Sequence, residues 1–168
     1  MKRRGLLALG AAATAVLVLG GGAVALVQPA LRNGRLTERG RIVMGAISQA
    51  LLEGSLPSGT SAASRELEAL LGRIETALHG LPAHAQAEFS QLLALLGTAG
   101  GRLALAGLRP DWHEASLPQR QGALQSMRVS PVALRQQSYQ ALHDLVASAY
   151  FSDPSTWSAL GYPGPLKL

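Results

Sequence analysis

The side chains that could do chemistry are few, and their spacing completes no catalytic constellation. Trp112-His113-Glu114 opens like a helical zinc-protease motif, but the second histidine belongs four positions after the first, and that position is Leu117. His79 and His84 are separated by Leu81-Pro82, a helix-breaking pair, and His143 stands beside Asp144 with no other histidine near. With zero cysteines there is no thiolate for a metal, an iron-sulfur cluster, a disulfide or a nucleophile. Gly97-Thr98-Ala99-Gly100-Gly101 has the glycine content of a phosphate loop but lacks the lysine and adjacent hydroxyl that would hold phosphate and magnesium. No serine occupies a glycine-x-serine-x-glycine elbow, and no cysteine pair precedes a histidine for haem attachment. The expectation is a chain that is not an enzyme by itself and that holds no cofactor or metal of its own.

Elements that could position a site must come from 168 residues, enough for one domain with one core. Hydrophobic residues make up 48% and aromatics only 4%, while charged residues, at 15%, fall well below the ~25% of soluble domains. Part of the chain is therefore not meant for water. The formal charge of +5 is concentrated at the start, and setting aside Lys2, Arg3 and Arg4 leaves a balance of about +2. That is too little for the dense positive face that phosphate backbones require, so nucleic acid is not an expected partner. The remaining cluster, Arg32, Arg35, Arg39 and Arg41 around Glu38, reads as a solvated or headgroup-facing flank.

From Gly5 to Val27 no residue is charged, and Lys2-Arg3-Arg4 precede the run directly, the order of an export signal. As a helix it would extend about 34 Å at ~1.5 Å per residue, enough to cross the hydrocarbon of a bilayer. Gly10 and Gly20-Gly21-Gly22 weaken such a helix, and Ala23-Val24-Ala25 fits the small-x-small pattern of signal peptidase, which favours cleavage after Ala25 over a permanent anchor. Arg3-Arg4-Gly5-Leu6-Leu7 resembles the twin-arginine signal, two arginines, any residue and two apolar residues, whose route carries folded cargo. An ordinary secretion signal is the alternative. Arginines soon after the apolar run weigh against it, because positive charge there hinders threading.

Beyond Pro29 the sequence predicts an all-α bundle of five to six helices. The expected organisation is a leader over 1–27, a linker over 28–36, a helical bundle over 37–151 and an aromatic arm over 152–168. Thr37 is placed to cap a first helix carrying Ile42, Val43, Ala46, Ile47, Ala50 and Leu51 at helical spacing. A second helix over about 62–79 has Leu67, Leu70, Leu71, Ile74 and Leu78 on one face. A third, from Pro82 to about 96, buries Phe89, Leu92, Leu93 and Leu96; glycines then break it before a short helix over 102–108. Ser116-Pro118 and Ser130-Pro131 signal two more starts, the last helix carrying Leu134, Leu142, Leu145, Val146 and Ala149 inward.

Five aromatic residues, Tyr139, Tyr150, Phe151, Trp157 and Tyr162, are gathered near the C-terminal end around Asp153-Pro154, which signals a one-turn helix ended by Gly161. Prolines and glycines forbid helix after that, so an irregular arm must carry large apolar groups. Two readings stay open: an aromatic lid folded onto its own bundle, or a surface that docks a partner.

The stretch from Tyr150-Phe151 through Asp153-Pro154, Trp157 and Leu160-Gly161-Tyr162-Pro163-Gly164-Pro165 resembles the family named for gluconate 2-dehydrogenase subunit 3. Members commonly close with a Tyr-Tyr or Tyr-Phe pair, an Asp-Pro or Ser-Pro turn, a Trp, and Leu-Gly-Tyr-Pro-Gly; the arginine-paired leader is similar too. The resemblance implies a non-catalytic small subunit of a large FAD-dependent dehydrogenase of the glucose-methanol-choline (GMC) oxidoreductase type. In such a complex FAD belongs to the large subunit, and the small subunit supplies the signal that engages the twin-arginine translocase. The exported pair would reside in the periplasm, free or held to the inner membrane by the leader. The alternative is a stand-alone membrane-tethered periplasmic helical protein serving assembly or as a scaffold.

Overall fold

Asn33-Gly34 lies between two leucine-arginine pairs, and that dipeptide is a two-residue hairpin signal because both central positions need a positive φ. The computed structural model, which describes residues 28–162 and Gly164, has φ of 52° at Asn33 and 74° at Gly34. Strands β1 (Leu31–Arg32) and β2 (Arg35–Leu36) pair antiparallel, Leu31 opposite Leu36 and Arg32 opposite Arg35. The segment expected as a linker is thus a small hairpin whose Leu31 and Leu36 are buried. Two glycines let it close on the helices. A Cβ at Gly34 would lie 2.6 Å from Nδ1 of His79, and one at Gly40 would lie 2.5 Å from the carbonyl oxygen of Ala30.

The rest of the described chain is helical, as the periodicity predicts: α1 (Glu38–Leu51), α2 (Thr60–His79), α3 (Ala83–Gly97), α4 (Ala99–Ala106), α5 (Leu117–Arg128) and α6 (Ala133–Phe151), followed by a 3-10 helix over Pro154–Leu160. Thr37 caps α1, its Oγ1 accepting from the N–H of Gly40 at 3.2 Å. Helix α1 is central and packs against α2, α3, α5 and α6. Val43, Met44, Ala46, Ile47, Ser48 and Ala50 are buried along it, whereas Ile42, expected inward, is exposed. Leu70, Leu71, Ile74 and Leu78 of α2 and Phe89, Leu92, Leu93 and Leu96 of α3 complete the core. Each such side chain contributes about 1.5–3 kcal/mol on leaving water.

Two boundaries differ from expectation for local reasons. The break after α3 is made by Thr98, whose hydroxyl donates to Leu95 O at 2.8 Å and accepts from Gly101 N–H at 3.0 Å. Helix α4 therefore starts at Ala99, takes Gly100 and Gly101 into its first turn, and lies bent 99° from α3. Helix α6 starts after Val132 rather than at Pro131, because the Ser130 hydroxyl accepts from Val132 N–H at 3.2 Å and holds those residues in a turn. The start at Ser116 is as the sequence indicates: its N–H donates to Gln119 Oε1 at 2.8 Å.

Among the described residues no single helix is long and apolar enough to cross a membrane. The leader residues Arg3, Arg4, Leu6, Leu7, Ala23 and Ala25, and with them the signal and its cleavage region, lie outside the described residues.

Candidate functional site

The arm is built on the C-terminal end of α6, where the last turn of a helix leaves carbonyls without intrahelical donors. Three of them are taken by named side chains. The Thr156 hydroxyl donates to Tyr150 O at 3.2 Å, the Trp157 indole N–H donates to Phe151 O at 2.8 Å, and Arg73 Nε donates to Ala149 O at 2.9 Å. Thr156 is thereby buried and Trp157 half-buried. Asp153 starts the 3-10 helix, its Oδ1 accepting from Ser155 N–H at 2.9 Å. This is the Asp-Pro start expected from sequence, in 3-10 geometry over Pro154–Leu160, with Gly161 following at φ 67°.

Arg73, on α2, ties the arm to the bundle. Besides Ala149 O it reaches Asp153 Oδ2 at 3.1 Å and Glu66 Oε1 at 2.5 Å. Asp153 is held below the ordinary carboxylate pKa by the backbone N–H of Ser155, then by the Ser155 side chain; desolvation opposes them, and the Arg73 charge adds the smallest lowering.

The sequence-derived interface residues separate into groups. Tyr150 is a core residue: it is 2% exposed and its hydroxyl donates to Ser55 O at 2.5 Å, across the bundle. Burial, followed by the charge of Glu66, pushes its phenol pKa up, so it stays a neutral donor. Phe151 is half-buried, its ring edge-on to Tyr150 at 5.1 Å. Trp157 and Tyr162 meet edge-on with centroids 5.3 Å apart, and Tyr162 N–H donates to Trp157 O at 3.1 Å. Gly164 crosses the same indole; a Cβ there would lie 3.5 Å from Trp157 Cζ3. Tyr162 is 49% exposed, and Pro154 is exposed beside Asp153. Leu160 lies on the 3-10 helix, and Pro163 and Pro165 fall outside the described residues. The structure thus brings together Phe151, Asp153, Trp157, Tyr162 and Gly164, and takes Tyr150 away into the core.

Sequence reasoning missed Arg73, Glu66, Ser55 and Thr156. Glu66 and Arg73 are two turns apart on one helical face, which was visible; that this face meets position 153 is a tertiary fact with no local signature.

The histidine motifs form no second site. Trp112 is fully buried and donates to Leu96 O at 2.9 Å, while His113 is exposed with Nδ1 3.3 Å from Asp111 Oδ1. His143 stacks on Tyr139 at 5.6 Å. Among the described residues no group of three His, Cys, Asp or Glu side chains could hold a metal. What the arm offers chemically is contact: half-exposed aromatic rings on a short, pinned helix. Comparison of the chain with protein-family models, with curated proteins and with solved structures gives no match in any of the three.

Proposed function

We propose that this chain is the non-catalytic small subunit of a periplasmic or membrane-associated FAD-dependent GMC-type dehydrogenase. In this reading it supplies the twin-arginine signal and supports assembly of the catalytic subunit. The observation that carries the reading is the state of the arm. Arg73, Thr156 and the Trp157 indole fix its backbone to the bundle, yet Tyr162, edge-on to Trp157, keeps 49% of its surface exposed. A large ring held in place but left uncovered loses little conformational freedom on binding and gains burial, the property of an interface anchor. The closing sequence from Tyr150 to Pro165, similar to that of gluconate 2-dehydrogenase subunit 3, supplies the kind of partner.

A flavoenzyme closes around its cofactor before export, so it needs a route for folded proteins, and a bound subunit with Arg3-Arg4 provides it for both chains. FAD and the redox chemistry then belong to the large subunit. Leader processing after Ala25 gives a periplasmic complex; retention of the leader gives one held at the inner membrane.

The second reading, a stand-alone tethered assembly or scaffold protein, draws on the packing of Gly164 and Tyr162 against Trp157, which is what a self-closing lid would show. Purification of the tagged chain separates the two. The subunit reading expects a flavin-bearing GMC-type protein, identified by mass spectrometry, in stoichiometric amount, and expects Arg3→Lys/Arg4→Lys to keep both chains in the cytoplasm. A colourless monomer exported alone would support the scaffold instead.

A further inference from the structure

The hairpin sorts its side chains by polarity. Leu31 and Leu36 face the core, while Arg32 and Arg35 face outward, and the strand register sets these two arginines directly opposite one another. Side chains so placed have Cβ atoms about 4.5–5.5 Å apart, and like charges there repel. A carboxylate between them would relieve the pair, but among the described residues neither guanidinium has one. The ion pairs on this side belong to Arg41, which takes Glu68 and Glu75. Arg39 is exposed and hydrogen-bonds a neutral carbonyl, Gly97 O at 2.5 Å, and among the described residues it too has no ion pair.

The arginines cannot be relieved by movement of the hairpin. Leu31 N–H donates to Ser90 Oγ at 3.0 Å, and Ala30 O accepts from Thr37 N–H at 2.8 Å, so the open end of the ribbon is closed across its two strands and tied to α3. The opposed placement of Arg32 and Arg35 is therefore set by the fold, and an anion from outside lowers their repulsion.

Position along the chain identifies that anion. Arg32 follows Val27, the end of the uncharged run, by five residues, so at full extension no more than about 18 Å separates them. The run has the length and composition of a membrane-inserting segment, and the headgroup layer flanking the hydrocarbon is on the order of 5–8 Å thick. We propose that Arg32, Arg35 and Arg39 form a membrane-facing surface that seats the bundle on anionic phospholipid headgroups. Phosphodiester oxygens accept guanidinium hydrogen bonds in a forked geometry, and adjacent lipids engage the opposed pair together. This inference rests on membrane insertion of the Gly5–Val27 run and is independent of any partner subunit.

The test uses the full chain, as wild type and as Arg32→Gln/Arg35→Gln, floated with vesicles of phosphatidylcholine alone or mixed with phosphatidylglycerol. The uncharged run and Lys2-Arg3-Arg4 are common to both proteins, so the difference between them reports the hairpin. At roughly fivefold per arginine, the preference of the wild type for phosphatidylglycerol exceeds that of the double variant by about 25-fold. The difference shrinks as salt rises toward about 0.5 M. Arg32→Lys/Arg35→Lys restores most of the preference, which loss of folding in the first variant would not allow. Equal preference in wild type and the glutamine variant overturns the proposal. So does disappearance of the wild-type preference when inorganic phosphate is added at matched ionic strength, which would assign the arginines to a soluble anion. Vesicle binding of this kind without a co-purifying flavoprotein would sustain this inference while removing the subunit reading above.

Discussion

Arg73 and Asp153 are eighty positions apart in sequence and are joined by a hydrogen bond of 3.1 Å between Nη1 and Oδ2. The same guanidinium caps Ala149 O and takes Glu66, so one side chain of α2 ties down the end of α6 and the start of the arm. Replacing it with a shorter neutral side chain takes the guanidinium from Asp153 and Glu66 and leaves the Ala149 carbonyl with the Ser152 hydroxyl alone. Arg73→Gln is predicted to lower the unfolding free energy by roughly 1.5–3 kcal/mol, the range for hydrogen bonds to charged groups. Urea unfolding followed by circular dichroism measures this, and limited proteolysis should cut the arm earlier than the bundle.

The carboxyl of Asp153 titrates below its ordinary value of 3.8, first because of Ser155 and then because of Arg73. A depressed folded pKa gives stability that is fully present above the unfolded value and is lost as pH falls through the folded one. The arm should therefore keep its contacts from neutrality down to about pH 4 and loosen only below it. The fluorescence difference between wild type and Asp153→Asn reads the environment of Trp157; that difference should stay constant above about pH 4 and collapse in stronger acid.

The Tyr150 hydroxyl holds the turn after α1 through Ser55 O at 2.5 Å. Tyr150→Phe is predicted to cost about 1 kcal/mol and to speed amide exchange in the turn around Ser55. Because burial raises the phenol pKa above 10.0, this contribution is present below that value and is lost as pH climbs through the raised one.

Gly34 combines a φ of 74° with a contact that leaves no room for a methyl group beside His79. Gly34→Ala should reduce stability by about 1–2 kcal/mol from backbone conformation alone, with the steric contact adding to it. A shifted urea midpoint with unchanged slope would be the signature.

Most of the helical framework was legible because its signal is local and periodic. Leu70, Leu71, Ile74 and Leu78, and the stripe from Phe89 to Leu96, are buried where a 3.6-residue repeat puts them. Legibility failed where a short polar side chain competed with the glycine and proline punctuation. Thr98 moved the start of α4 ahead of the glycines, and Ser130 delayed α6 past Pro131. The hairpin carried its Asn33-Gly34 signal openly, but two-residue strands are too short to show alternation. At the arm, ring content was readable and ring fate was not. Tyr150 and Tyr162 look alike in sequence, yet the helical phase of α6 buries the first and the turn at Gly161 leaves the second half outside.

Trp157 and Tyr162 are where the subunit reading is most exposed to test, since their rings meet on the pinned arm outside the central core. The decisive measurement is co-purification and export of the flavin dehydrogenase with the full chain, as wild type and as Trp157→Ala/Tyr162→Ala, both checked for equal helical content. Loss of two interface anchors is expected to weaken the complex by about 30-fold or more, with the flavin-bearing protein lost from the purified chain and left in the cytoplasm. If the double variant holds and exports the flavoprotein as well as the wild type does, or if the wild type itself purifies colourless and alone, the account is contradicted.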